Sequence, residues 1–277
     1  MFLKLISISE LDFSSSWRIG WSKIKDLSGF DKYITIFWLL GPFVYLIERD
    51  PADLWLSIIC LVFLIKCFQK KDWHWTKQIW FRSALTLWIF GLFSAITSND
   101  PYFSFQQGFV WIRFPIYAAA VQVWLAKDRD VRTIMLFFLL VGLLIMSFIL
   151  ISESLYDPKL RLTWPYGDLI PGSYISKTSL PIICILSAII ASSKKLNLVI
   201  IFILCFAFLA TLLTGERMSL ILFIVGVVTS ALLYRPKLIN VFLIMSSVFI
   251  IFIFTILFNS QLSERLTNHF LKSIPIF

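Results

Sequence analysis

Three arginines stand where arginine does chemistry. Arg161 opens the stretch R-L-T-W-P-Y-G-D-L-I-P-G-S-Y-I-S-K, residues 161–177, the longest polar segment lying between two apolar runs. Its prolines and glycines break any continuous helix, so it reads as a loop. Besides Arg161 it carries Lys177, Asp168, Trp164, Tyr166 and Tyr174. Arg217 ends a second short turn, Thr214-Gly215-Glu216-Arg217, where one apolar run gives way to the next. Arg113 stands in the middle of an apolar run. A guanidinium fork matches a phosphate bidentately, and a helix start adds unpaired N–H groups and a positive dipole end, which is where Arg217 falls. An arginine near a bilayer centre costs about 2.5–3.5 kcal/mol on insertion scales, so Arg113 needs a carboxylate, a water-filled cavity or a ligand anion. The candidate carboxylates at the ends of apolar runs are Glu153, Asp168 and Glu216. Two readings follow: an ion pair that pins helices together, or cations lining a polar cavity that takes an anionic, phosphorylated membrane substrate. A pyrophosphate on a lipid carrier fits the second. Tyr166, Tyr174 and Trp164 suit stacking on sugar rings and equally suit the aromatic belt of a membrane interface. Glu216 is placed to hold Arg217 when no ligand is bound.

The composition sets the class. Hydrophobic residues make up 59% of the chain, charged residues 15%, and the mean hydropathy is +0.86. Soluble domains are about a quarter charged, so this is a membrane protein. The formal net charge of +9 belongs to loop lysines and arginines held on the cytoplasmic side. No basic stripe stands on a soluble surface, and nucleic acid is not a partner. Cys60, Cys67, Cys184 and Cys205 all fall in apolar runs without metal-ligand spacing and read as small hydrophobes. No metal and no cofactor is expected. The first residues, M-F-L-K-L-I-S-I-S-E, lack the apolar stretch and cleavage site of a signal peptide, so insertion falls to the spans themselves.

These features predict an all-α fold, a polytopic transmembrane helical bundle of about nine spans. The spans run over 31–47, 53–67, 83–97, 105–126, 133–151, 178–192, 197–213, 218–234 and 239–258. Residues 1–30 form a cytoplasmic or interfacial segment, in which Trp17, Trp21 and Ile24 recur at helical spacing as on a membrane-surface helix. Residues 31–258 form the transmembrane domain, with an outer loop at about 153–177, and 259–277 begin a periplasmic segment. Gly41-Pro42 lies inside the first span and is tolerated there if a neighbour satisfies the freed carbonyl. With the N-terminus cytoplasmic, about seventeen cations lie inside and about seven outside.

The residues also resemble a family. R-L-T-W-P-Y-G-D-L-I-P-G-S-Y-I-S-K is similar to the segment R-L-x-G-P-[FY]-G-D-E-x-x-G-S-[YF]-L-x-[KR] of bacterial O-antigen ligase-like proteins, with Trp164 in place of the usual glycine and Leu169 in place of the usual acid. T-G-E-R-M-S-L resembles their T/S-G-x-R turn, and W-I-R-F-P-I-Y-A at 111–118 their mid-membrane arginine helix. The resemblance spans roughly residues 80–265. It implies a glycosyltransferase of the inner membrane that moves a glycan from undecaprenyl pyrophosphate to a sugar hydroxyl. The acceptor is lipid A core for a ligase or a growing polysaccharide for a polymerase. Arg217, Arg161 and Arg113 would hold the pyrophosphate. Asp168, Tyr166, Tyr174, Lys177 and Glu216 would support the glycan or the loop. The family's general base is a histidine in a large periplasmic loop. Here His74 falls on the cytoplasmic side, and His269 comes only about ten residues after the ninth span. No catalytic base is therefore assigned, and the chain is expected to be C-terminally incomplete and inactive alone. A transporter or exporter of an anionic or lipid-linked substrate is the competing class, since it too places arginine in a cavity.

Overall fold

The computed structural model describes residues 13–156, 162–166, 198–214 and 217–234, with single helical positions at 174, 175, 178, 179, 182, 183, 246, 250 and 253. Every element among them is helical. In chain order these are α1 (Phe13–Asp26), α2 (Gly29–Leu39), α3 (Gly41–Ile47), α4 (Arg49–Lys70), a 3-10 turn at His74–Lys77, α5 (Ile79–Ile96), α6 (Pro101–Val110) and α7 (Arg113–Ala120). A π-helical stretch, Val121–Leu125, extends α7, and α8 (Arg129–Tyr156), α9 (Leu198–Leu213) and α10 (Arg217–Tyr234) follow. Four segments are long and apolar enough to cross a membrane: Asp50–Lys70, Ile79–Ile96, Pro101–Leu125 and Arg129–Tyr156; the bent pair α2–α3 makes a fifth if counted as one span. The first five spans read from the sequence thus meet helices. The seventh and eighth coincide with α9 and α10, and the sixth and ninth fall largely outside the described residues.

The helix boundaries have local causes. Pro42 has no N–H to give, and the chain bends by 49° between α2 and α3. Trp55 on α4 serves the bend: its Nε1 donates at 2.8 Å to the Phe37 carbonyl, the acceptor that Gly41 would meet in an unbroken helix. α4 ends in a Schellman motif. The amide of Lys71, at φ 53°, donates to the Phe68 carbonyl, and that of Asp72 to the Cys67 carbonyl. α6 starts with Pro101 in its first turn and with the Asp100 side chain accepting from the Phe103 amide at 3.1 Å. The single run 105–126 of the sequence is broken at Trp111–Ile112. Pro115 cannot donate to the Trp111 carbonyl, which accepts from the Phe114 amide instead, at 3.1 Å.

The chain divides into two compact units. The first comprises Ser14–Val44 and Arg49–Met135. Here α1 turns Gly20 and Ile24 toward the protein: Ile24 is buried, and a Cβ at Gly20 would lie 2.8 Å from Ile134 Cδ1 and 2.9 Å from the Asp130 carbonyl oxygen. The surface helix expected at the N-terminus therefore spends much of its apolar stripe on the protein, with Trp17 and Trp21 edge-to-face beside it. Lys23 closes the contact by donating to Asp128 at 2.8 Å and to Asp130 at 2.7 Å. Lys66 of α4 reaches Asp31 of α2 at 2.6 Å and lies over the Trp124 ring.

The second unit comprises Tyr45–Glu48 and the chain from Leu136 onward. Its core joins Leu143, Met146 and Leu150 of α8 to Leu162, Tyr174 and Ile175 and to residues of α9 and α10, among them Phe208 and Phe223. Positions 174, 175, 178, 179, 182 and 183 are all helical and buried. Their spacing is that of one helical stripe turned into the core.

Candidate functional site

Arg113 is the first residue of α7, just past the break at Trp111–Ile112. Its Nη2 donates to Asp53 Oδ1 at 2.7 Å, with the guanidinium side chain 18% exposed and the carboxylate 35%. Its Nε is buried without a hydrogen-bond partner, and its guanidinium carbon lies 5.4 Å from the Phe114 ring centre. The same helix pair is tied again where the Cys60 thiol donates to the Arg113 carbonyl at 3.1 Å. One turn further along α7, Trp38 Nε1 donates to the Tyr117 hydroxyl at 3.0 Å. Arg113 thus has its carboxylate, but not from the candidates the sequence offered. Of those, Glu153 is engaged elsewhere and Asp168 and Glu216 lie outside the described residues. Asp53 was missed because it sits in the acidic start of α4, sixty residues upstream, and nothing local in the sequence links the two.

Glu153, near the end of α8, is fully buried. Its carboxylate accepts from the Thr163 amide at 2.9 and 3.0 Å, from the Trp164 amide at 2.9 Å and from the Thr163 hydroxyl at 3.2 Å. Successive amides converging on one anion form a nest. Leu162 beside them is a core residue. The Tyr166 hydroxyl donates to the Tyr45 carbonyl, and Tyr156 and Trp164 meet ring to ring at 6.1 Å. The described part of the loop, 162–166, is therefore fastened at three successive residues and again at Tyr166. Burial pushes the phenols of Tyr166 and Tyr174 above the ordinary tyrosine range, so both stay neutral across physiological pH. Tyr174 is 2% exposed and its carbonyl accepts from the Thr178 hydroxyl at 2.9 Å. Stacking on a sugar needs an open ring face, so Tyr174 serves as support. Trp164, 39% exposed, keeps an accessible ring.

Side-chain hydroxyls serve the end of α9. Thr211 donates to the Ala207 carbonyl and Thr214 to the Thr211 carbonyl, both at 2.7 Å. α10 then begins at Arg217, whose backbone alone is described. Arg161, Asp168, Lys177, Glu216 and His269 lie outside the described residues. His74 is exposed, and its Nδ1 lies 2.6 Å from Asp72 Oδ1. That contact holds the Asp72 carboxyl below its usual range. Among the described residues no three His, Cys, Asp or Glu side chains gather as a metal site would require. An apolar groove of about 420 Å³ opens between α5 and α6–α7, with Trp88, Gly91, Gly108 and Trp111 in its walls. No charged side chain lines it, so it does not suit an anion.

Protein-family models, characterised proteins and solved structures give no match to this chain. Its function must be argued from its own residues.

Proposed function

We propose that this chain is a membrane glycosyltransferase of the O-antigen ligase type. It takes a glycan from undecaprenyl pyrophosphate and passes it to a sugar hydroxyl of lipid A core, or of a growing polysaccharide in the polymerase version of the same chemistry. In this reading it sits in the bacterial inner membrane with about nine spans and a cytoplasmic N-terminus, as the excess of inside cations requires. Arg217, Arg161 and Arg113 hold the pyrophosphate, and the lipid tail lies among the phenylalanine-rich helices.

One coincidence carries the reading. The residues that resemble the family's loop motif, R-L-T-W-P-Y, contain the stretch that Glu153 and the Tyr45 carbonyl bind down. The other motif, T-G-E-R, ends on the first residue of α10. A helix start with an arginine on it is suited to a pyrophosphate, because N–H groups and guanidinium then face one anion. A transporter is the second reading, favoured by the two interrupted helices at Leu40 and at Trp111–Ile112; transporters build substrate sites from such breaks.

Arg217→Lys tests the proposal. It keeps the charge and loses the fork. In nanodiscs, undecaprenyl pyrophosphate should bind the variant about tenfold more weakly while expression and thermal stability stay unchanged. Equal affinities for wild type, Arg217→Lys and Arg217→Ala would remove Arg217 from any pyrophosphate site and leave the transporter reading in front.

A further inference from the structure

We infer that Glu153 is a positioning residue for the substrate-binding loop: an internal anion that sets the shape of residues 162–166 from beneath. The inference rests on the glycosyltransferase reading and deepens it. A carboxylate removed from water must be met by donors, or burying it is costly. Glu153 is met by the amides of Thr163 and Trp164 and by the Thr163 hydroxyl, at 2.9–3.2 Å. The dependence runs both ways. Two neighbouring amides aimed at one place repel each other, and an anion between them offsets that repulsion. Leu162 is locked in the core just before the clamp, and Tyr166 is tied to the Tyr45 carbonyl just after it. The clamp thus fixes the backbone in the middle of the motif that carries Arg161 on one side and Asp168 on the other. Glu153 is buried and cannot itself touch a substrate; it acts through the loop.

The test uses the full chain in nanodiscs and two readouts: amide exchange over residues 162–166 and titration with undecaprenyl pyrophosphate. Glu153→Gln keeps the shape but offers an NH₂ where two donors converge. Exchange at Thr163 and Trp164 should rise, and affinity should fall about tenfold, with the melting temperature and the exchange of α8 unchanged. If wild type binds and Glu153→Gln binds as tightly despite the faster exchange, the inference is overturned and the pyrophosphate site stands. A fall in affinity that comes only with a lower melting temperature and faster exchange along α8 also overturns it, since that is a purely structural role. If wild type does not bind at all, the glycosyltransferase reading falls first. Should Glu153→Gln fail to fold, Glu153→Asp, which keeps the anion but withdraws it by one methylene, is judged by the same readouts.

Discussion

The bend between α2 and α3 is held by a single indole, and a double-mutant cycle can measure how. A Cβ placed on Gly41 would lie 2.3 Å from Cζ2 of Trp55, 2.6 Å from Cη2 and 2.9 Å from Cε2. The ring has no easy retreat: Trp55 is 3% exposed, donates to the Phe37 carbonyl, and packs on Tyr117 at 5.5 Å. Gly41→Ala must therefore push the ring off its hydrogen bond. Overpacking costs about 1–3 kcal/mol and a lost hydrogen bond about 1 kcal/mol. Alanine's better helix propensity returns about 1 kcal/mol, leaving a net loss of about 1–3 kcal/mol. Trp55→Phe leaves the Phe37 carbonyl without its donor, again about 1–3 kcal/mol. The phenyl ring lacks the atoms that meet the new methyl, so in the double variant the overpacking disappears. The two changes together should cost about 1–2 kcal/mol less than their sum. Unfolding of the four proteins in one detergent measures this. Additivity to within about 0.3–0.5 kcal/mol, or a neutral Gly41→Ala, would refute the argument.

Two further predictions concern ion pairs. Asp53→Ala leaves Arg113 uncompensated beside a buried Nε and should cost about 2–3 kcal/mol; Asp53→Leu with Arg113→Met should fall well short of that, and a double variant as unstable as Asp53→Ala would show that the pair itself is not what matters. At α1, the hydrogen bonds that Lys23 donates to Asp128 and Asp130 raise the Lys23 pKa, whereas burial works against the Asp128 carboxylate but is outweighed by Lys23 and backbone N–H groups, which lower its pKa. The contribution of Lys23 is therefore full below its unfolded pKa of about 10.4 and fades as pH rises through the folded value, while that of Asp128 is full above about 3.9 and fades as pH falls further. With both side chains 40–45% exposed the pair is worth about 0–1 kcal/mol, so Lys23→Met should lower the melting temperature only slightly between those limits and flatten its alkaline fall; an unchanged alkaline limb would exclude Lys23 as its source.

What the sequence disclosed was whatever repeats locally. Membrane-length apolar runs, the proline at 42 and the helix start at Arg217 are set by residues within one or two turns of each other. Arg113 stood out because charge is rare in such runs, and a helix-pinning ion pair was one of its two readings. Its partner was not legible, since Asp53 resembles any acidic turn residue until α4 and α7 are packed. Glu153 was seen only as a possible mate for Arg113. Its true donors are backbone amides, which every residue carries and which no pattern of side chains reveals. Trp55 was likewise one more tryptophan in an apolar run. The run 105–126 does fall on one membrane-length segment, Pro101–Leu125, and the local break at Trp111–Ile112 within it was foreseeable from Pro115.

The Arg113–Asp53 pair also constrains how the chain is made. Asp53 leaves the ribosome sixty residues before Arg113, so α4 enters the insertion machinery with an acid that has no mate. α7 follows with a base whose lone transfer costs about 2.5–3.5 kcal/mol. The two helices are cheapest to release into lipid together, after α5 and α6 have already emerged. The pair thereby favours one order of assembly, with α4 released into lipid only once α7 has brought its arginine.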